Sequence, residues 1–265
     1  MKSLFKLTAA AMLAVGLGVT GASAQDTVKF GVADESYPPF SSKDATGQWV
    51  GWEMDLMDLV CKKAGLTCEL VPTAWDGIIA SLNGKKIDVI WSSMSITAER
   101  KQQIDFTNMY YNGAAVLIGA KNGDLDITPA HLSGKTFGAQ VATIHERYVQ
   151  KYFVAAGATV KTYQTQDEAT SDLAAGRVDY VQADAISVDP FLASDQGKAC
   201  CEIKGVVPDD KEVLGDGVGG GVRKEDTALK DKLNAAISEL AKSGEIATLT
   251  KSYPLLDGKL IIPTM

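Results

Sequence analysis

Short β-branched runs alternate along this chain with stretches of helical period, a pattern that predicts βαβ units and mostly parallel sheets. Strands are expected at residues 28–32, 67–71, 88–91, 113–118, 136–140, 160–163, 178–181 and 217–222. Helices are expected at 54–64, 76–83, 143–156, 167–175, 226–243 and 246–253. Thr97 and Thr143 stand where N-caps belong, and Gly65, Gly157, Gly176 and Gly244 where helices should stop. Two extended connections, 110–119 and 207–221, divide the chain into a first part, a middle part and a tail. If the tail returns to the first part, these connections form a double hinge between two α/β lobes, with a binding crevice between them.

The first 24 residues break the pattern. Lys2 and Lys6 precede an apolar run, and Ala22-Ser23-Ala24 supplies a small-residue cleavage site before Gln25. The run is shorter than the ~20 apolar residues a membrane span needs, so a secretory signal removed after Ala24 is expected, leaving an exported periplasmic protein with no membrane insertion. The 241 residues left are enough for two lobes, each with its own core. They carry 24 basic and 33 acidic side chains, a net charge of −9 that disfavours nucleic acid and anionic lipid and favours small cations.

Cysteine use fits an oxidising compartment. Cys61 and Cys68 flank a helix end and a strand start, which folds the two thiols back toward each other, and a structural bridge is expected. Cys200 and Cys201 are adjacent, and free thiols, a strained ring and an intermolecular link all remain open for them.

Enzyme signatures are scarce. There is no G-x-S-x-G elbow, no H-E-x-x-H, and only two histidines, His131 and His145. The Gly215–Gly220 run satisfies G-x-G-x-x-G but lies in an extended stretch instead of opening a helix, so small residues at a hinge explain it better than a dinucleotide site. No cofactor or metal is expected. The segment WSSMSITAER is more informative. Ser92, Ser93 and Ser95, a Thr97-capped helix start and Arg100 gather at the carboxyl end of a strand, a set suited to a carboxylate; an ordinary polar loop with a surface arginine has the same spacing. Asp34 and Tyr37 in DESYPPF, with Trp75 at a helix start, offer an acid and two aromatics that could clamp an aliphatic or guanidinium side chain. Core and loop positions are the commoner fate of such aromatics.

In order along the mature chain, GxxxxSYPPF, GWEMDL, the Cys61/Cys68 spacing, SSMSITAERKQQIDFT, SDLAAGRVDY and GVRKED resemble the periplasmic lysine/arginine/ornithine-binding and histidine-binding proteins, solute-binding family 3 of polar amino-acid ABC transporters. The resemblance implies a two-lobed α/β Venus flytrap of type II with two hinge strands. Its lobes would be 25–112 with the returning 214–265, and 113–213, and its short Cys61–Cys68 loop would be a disulfide. It implies a monomeric, non-enzymatic receptor that closes on a free amino acid and presents it to an inner-membrane ABC permease.

By the same resemblance, Arg100 takes the ligand α-carboxylate with Ser95 and the backbone N–H groups of Thr143 and Ile144. Asp184, from the other lobe, takes the α-ammonium with Ser92 and Thr143. Tyr37 and Trp75 sandwich the side-chain stem, Asp34 meets a distal positive charge, and Ser93 lines the pocket. The chain departs from the family at Trp75 (usually Leu or Phe), Gln140 (Leu), Ile144 (Thr) and His145 (Gln), and Cys200-Cys201 has no family counterpart. A cationic amino acid such as arginine, lysine or ornithine is the expected ligand, with histidine as a further candidate. A glutamine- or opine-type ligand is the alternative within the family, and a cyclohexadienyl dehydratase-like enzyme is the alternative outside the binding class.

Overall fold

The computed structural model describes residues 27–263, so the expected signal segment and its cleavage point lie outside the described residues. The described part of the chain builds two five-stranded sheets and a small hairpin. It opens with β1 (Val28–Ala33), the hairpin β2 (Ser42–Lys43) and β3 (Trp49–Val50), and α1 (Trp52–Ala64). Next come β4 (Cys68–Thr73), α2 (Ile78–Asn83), β5 (Val89–Ile90), α3 (Arg100–Gln103) and β6 (Asp105–Phe106). It then crosses into a second sheet through β7 (Ala115–Ala120), β8 (Thr136–Gln140), α4 (Ile144–Tyr148), β9 (Thr159–Tyr163), α5 (Gln166–Ala174) and β10 (Tyr180–Asp184). That lobe is completed by α6 (Asp189–Ala193), α7 (Asp195–Cys200), β11 (Cys201–Val206) and α8 (Lys211–Leu214). The chain finally returns through β12 (Gly221–Val222), α9 (Thr227–Lys242) and α10 (Glu245–Lys251).

The return is visible in the strand order, which is β4-β1-β5-β12-β6 in the first sheet and β11-β7-β10-β8-β9 in the second. Among the described residues the sheets are more mixed than the expected mostly parallel arrangement. β1 runs parallel to β4 and β5, and β8 to β9 and β10. The returning β12 is antiparallel to both its neighbours, as is β7.

Each lobe has its own core. In the first, α1 buries Trp52, Leu56 and Val60 against Phe30 and Val32 of β1 and against Leu233 and Ile237 of α9. The other face of the sheet is covered by Ile78 and Leu82 of α2 with Ile87 and Ile90. α1 ends at Gly65 with φ 64°, whose N–H satisfies the last carbonyls of the helix. In the second lobe, Phe137, Tyr148, Phe153 and Tyr180 pack on one face of the sheet, and Val116, Ile118, Leu173 and Val181 on the other. No helix among the described residues is long and apolar enough to cross a membrane.

Several elements differ from expectation for local reasons. The helical stretch expected at 143–156 starts as α4 under a Thr143 cap but continues as a π turn over Val149–Phe153 and a 3-10 turn over Val154–Ala156, ending at Gly157 with φ 102°. The stretch expected at 76–83 begins with a 3-10 turn, Trp75–Gly77, before α2. β11, an edge strand, is not among the expected strands; Glu202, Lys204 and Gly205 interrupt its apolar positions. The strand expected at 217–222 pairs in a ladder only over Gly221–Val222, while Val218 bridges singly to Ser95 and Tyr111. Its glycines have a steric reason: a Cβ on Gly217, at φ 90°, would come within 2.2 Å of the Met109 sulfur, and one on Gly215, at φ 85°, within 2.6 Å of the Ile96 carbonyl oxygen. The Gly215–Gly220 run is therefore packed at the crossing between lobes.

Cys61 and Cys68 are bonded and close the end of α1 onto the start of β4. Cys200 and Cys201, which join α7 to β11, are bonded to each other. Replacing Cys61 and Cys68 by serine is expected to lower stability by about 2 kcal/mol, read as a shift in the urea midpoint at unchanged slope, because only a short loop is released.

Candidate functional site

The two lobes face each other across a cavity lined by residues of both. Lining residues come from strand ends and from helix starts of both lobes, where side chains project beyond the sheets. Tyr37, Trp75, Ser92, Ser93, Ser95 and Arg100 approach it from the first lobe, and Thr143, Ile144, His145 and Asp184 from the second. These are all the sequence-stated candidates except Asp34.

Arg100 opens α3, its N–H donating to Thr97 Oγ1 at 3.2 Å, so Thr97 does cap this turn. Its guanidinium is buried and lies 5.4 Å from the Trp75 ring. It donates to the Ser95 carbonyl at 3.0 Å and, across the lobes, to the Ala142 carbonyl at 3.2 Å. Neither partner is an anion. Burial pulls its pKa down to about 10, opposed by the Asp184 charge across the cavity. The Ala142 carbonyl is held in place by a left-handed backbone at φ 60° and by its own N–H, which donates to Glu146 at 2.8 Å. Thr143 follows, donating its hydroxyl to the Gln140 carbonyl at 2.7 Å and accepting from the Glu146 N–H at 3.2 Å.

Asp184 ends β10 and meets the first lobe directly, accepting a short hydrogen bond from the Tyr37 hydroxyl. His145 Nε2 stands 3.5 Å from the same carboxylate, while the buried Nδ1 has no partner. Burial alone would raise the Asp184 pKa, but His145, Tyr37 and Arg100 together hold it below the usual carboxylate value. The Tyr37 hydroxyl is pushed well above its ordinary pKa by burial and by the Asp184 charge, so it stays a donor. Its ring stacks on Phe40 with centroids 5.7 Å apart.

The serine cluster is braced from below. Ser92 Oγ accepts from the Ala33 N–H at 2.9 Å, tying it to the end of β1. Ser93 sits at φ 52°, a conformation costly for a non-glycine residue. Glu53, completely buried on α1, holds it by accepting from the Ser93 N–H at 2.7 Å and the Ser93 hydroxyl at 2.9 Å. The same carboxylate accepts from the Tyr110 hydroxyl, and burial raises its pKa despite these bonds. An acid on the apolar side of α1 was the available sequence signal for this support.

Asp34 is exposed and is not brought to the cavity; Ala33 and Glu35 are. Both residues lie in a bend just past the end of β1, which leaves Asp34 in solvent and brings in Glu35. This carboxylate accepts from Gln140 Nε2 at 2.8 Å, another contact between lobes. Its pKa is raised to about 7, first by burial and then by the neighbouring Asp34. Gln140 Nε2 also donates to the Gln164 carbonyl at 3.0 Å, drawing the start of α5 to this end of the cavity. Gln166, the first residue of that helix, also lines the cavity and was not anticipated. Its signal was its place just after a Thr165 cap, beyond the carboxyl end of β9. Among the described residues no group of acids, histidines and cysteines could hold a metal ion.

Comparison with known proteins places this geometry in a family. An L-arginine-binding protein of Pseudomonas aeruginosa is 38% identical over 254 residues, covering 96% of each chain. The lysine/arginine/ornithine-binding periplasmic protein of Escherichia coli is 38% identical over 245 residues, 91% of this chain and 94% of that one. The solved structure of an ancestral arginine-binding protein bound to arginine matches with a TM-score of 0.77 at 33% identity, over 86% of this chain and 97% of that one. The fold is the two-lobed α/β architecture of type II, shared with these solved structures. Residues 28–255 match the model of the bacterial extracellular solute-binding proteins, family 3, and the chain belongs to that family.

Proposed function

We propose that this chain is a periplasmic receptor that captures a free amino acid with a cationic side chain, of the arginine, lysine or ornithine type, by closing its two lobes on it. The observation that carries the reading is the charge layout. Arg100, a buried cation that meets no carboxylate directly, and Asp184, an ionised acid, stand on opposite lobes and line one cavity. A zwitterionic backbone needs one charge of each sign, and each lobe contributes one. Arg100 with Ser95 and the Thr143 and Ile144 N–H groups receives the α-carboxylate; Asp184, with Ser92 and Thr143, receives the α-ammonium. Tyr37 and Trp75 enclose the stem, Ser93 and His145 complete the wall, and Glu35 replaces Asp34 as the acid facing the distal cation.

Full contact requires both lobes, so the ligand favours the closed form by its differential affinity for it. The lobes in this scheme are 25–112 with 214–265, and 113–213. The closed form is the surface read by an inner-membrane ABC permease, the receptor is a monomer exported by a signal cleaved after Ala24, and it performs no chemistry on its ligand. Support comes from the names of its relatives, which are binding proteins for arginine and for lysine, arginine and ornithine.

Two outcomes test this. In titration calorimetry, Arg100→Ala and Asp184→Asn are each expected to weaken arginine binding by roughly thirty- to several-thousand-fold, the equivalent of about 2–5 kcal/mol for breaking a buried charge contact. Retention of wild-type affinity by either variant, or turnover of prephenate by the purified protein, would remove the proposal. The second outcome concerns pH. A cation binds the ionised form of Glu35, whose pKa lies at about 7, so arginine affinity should rise as pH is raised through that value and level off above it. In Glu35→Gln this part of the profile should be flat.

A further inference from the structure

We propose that Cys200–Cys201 is an exchangeable dithiol–disulfide site on the second lobe, opened at the Cys200 sulfur by dithiol reductants under conditions that leave Cys61–Cys68 closed. The inference is independent of the amino-acid reading, because it concerns a pair that the ligand cavity does not use.

The two bridges differ in what each can do for the fold. Cys61–Cys68 ties α1 to β4 with Cα atoms 6.3 Å apart, inside the roughly 4.4–6.8 Å that ordinary bridges span. Neighbouring residues hold their Cα atoms at most about 3.8 Å apart whatever the fold, and the Cys200–Cys201 separation is 3.7 Å. A separation below the ordinary range strains a bridge and makes it easier to reduce. A bridge between neighbours also closes the smallest loop there is, so it removes the least freedom from the unfolded chain. Stability therefore gives little reason for this pair, and thiol chemistry gives one.

The surroundings hold the junction whether the bond is made or broken. α7 ends at Cys200 and β11 begins at Cys201. The Cys200 carbonyl accepts from the Lys121 N–H at 2.8 Å, and Cys201 pairs with Ala120 in the antiparallel ladder to β7. At the other end of α7, the Ser194 hydroxyl accepts from the Gly197 N–H at 3.1 Å. None of these contacts uses a sulfur. The Cys200 sulfur lies 3.8 Å from the Gly197 carbonyl oxygen, so a thiol released there finds an acceptor already in place.

Burial decides which sulfur is attacked. Cys201 is 4% exposed and packs in the apolar layer with Val116, Ile118 and Val181, whereas Cys200 is only partly buried. A reductant thiolate bonds to the Cys200 sulfur as the Cys200–Cys201 bond breaks. The electron pair of that bond leaves on Cys201, which takes up a proton. The second thiol of the reductant, as its thiolate, then attacks its own sulfur in the mixed disulfide and releases Cys200, which is protonated in turn. The reductant ends as a cyclic disulfide and the cysteine pair as two thiols, so a two-electron exchange is complete.

The experiment equilibrates the whole mature protein at neutral pH with mixtures of reduced and oxidised dithiothreitol. Samples are quenched with acid, alkylated with iodoacetamide and mapped by peptide mass. Cys200 and Cys201 are expected to take up label together at a reduced-to-oxidised ratio at least about tenfold lower than Cys61 and Cys68 require, with an unchanged circular dichroism spectrum at that ratio. Opening of both bridges at the same ratio, earlier opening of Cys61–Cys68, or labelling of Cys200 and Cys201 before any reductant is added overturns the proposal. The attacked sulfur is tested with Cys201→Ser and Cys200→Ser, each treated with an aromatic disulfide reagent. Cys200 in the first variant should react at least about tenfold faster than Cys201 in the second; equal rates, or the reverse order, overturn the assignment to Cys200.

Discussion

The structure depends on a buried guanidinium that lacks an anion at contact distance. Arg100 is taken out of water and answered by two backbone carbonyls, one from each lobe. Carbonyl dipoles satisfy its N–H groups without neutralising its charge, and burial accordingly weakens its hold on the proton. A buried cation in that condition favours an arriving carboxylate strongly. The neighbouring contacts hold it in place: Thr97 caps its helical turn, and Glu146 accepts from the N–H of Ala142, whose carbonyl Arg100 reaches across to.

The opposing wall follows the same logic with the sign reversed. Asp184 stays ionised because Tyr37, His145 and the distant Arg100 compensate its desolvation. Two of these three come from the other lobe, so the electrostatic environment of the acid is a property of the closed molecule. Glu35 and Gln140 repeat the arrangement at the far end. On the surface, Glu99 pairs with Arg147 and Asp189 with Lys259, again joining residues of different lobes. These exposed pairs contribute little each; what closes the cavity is the set of buried polar groups that complete one another only when the lobes meet. The glycine-rich return past Met109 and Ile96 lets the second crossing lie close beside the first.

Much of this was legible in the sequence where chemistry and local conformation coincide. Arg100 lies three residues after a capping threonine, at the carboxyl end of a strand, and Thr143 caps a helix that faces it. Both positions are fixed by interactions within a few residues, so sequence spacing carries them. Asp34 and Glu35 show the opposite case. Both are acids, they are adjacent, and only the bend after β1 decides which one enters the cavity. A resemblance that aligns motifs locates the pair but not the direction each side chain takes. Glu53 was hidden for another reason: the groups it serves, Ser93 and Tyr110, are distant in sequence, so its place on the apolar side of α1 does not name its partners.

The sequence by itself determined that there are two α/β units with a returning tail, that helix caps and stops fall at Thr97, Thr143, Gly65 and Gly157, and that hydroxyls and a capped helix start gather near Arg100. Periodicity and capping act over a few residues, which is why they can be read in one dimension. Only the tertiary structure decided that Glu35 faces inward while Asp34 does not, that Gln166 joins the same wall, that Cys200 bonds its neighbour, and that the sheets mix strand directions. Each of these depends on which segments meet across long sequence separations, and a buried polar atom acquires its meaning only from the partner that the fold brings to it or withholds.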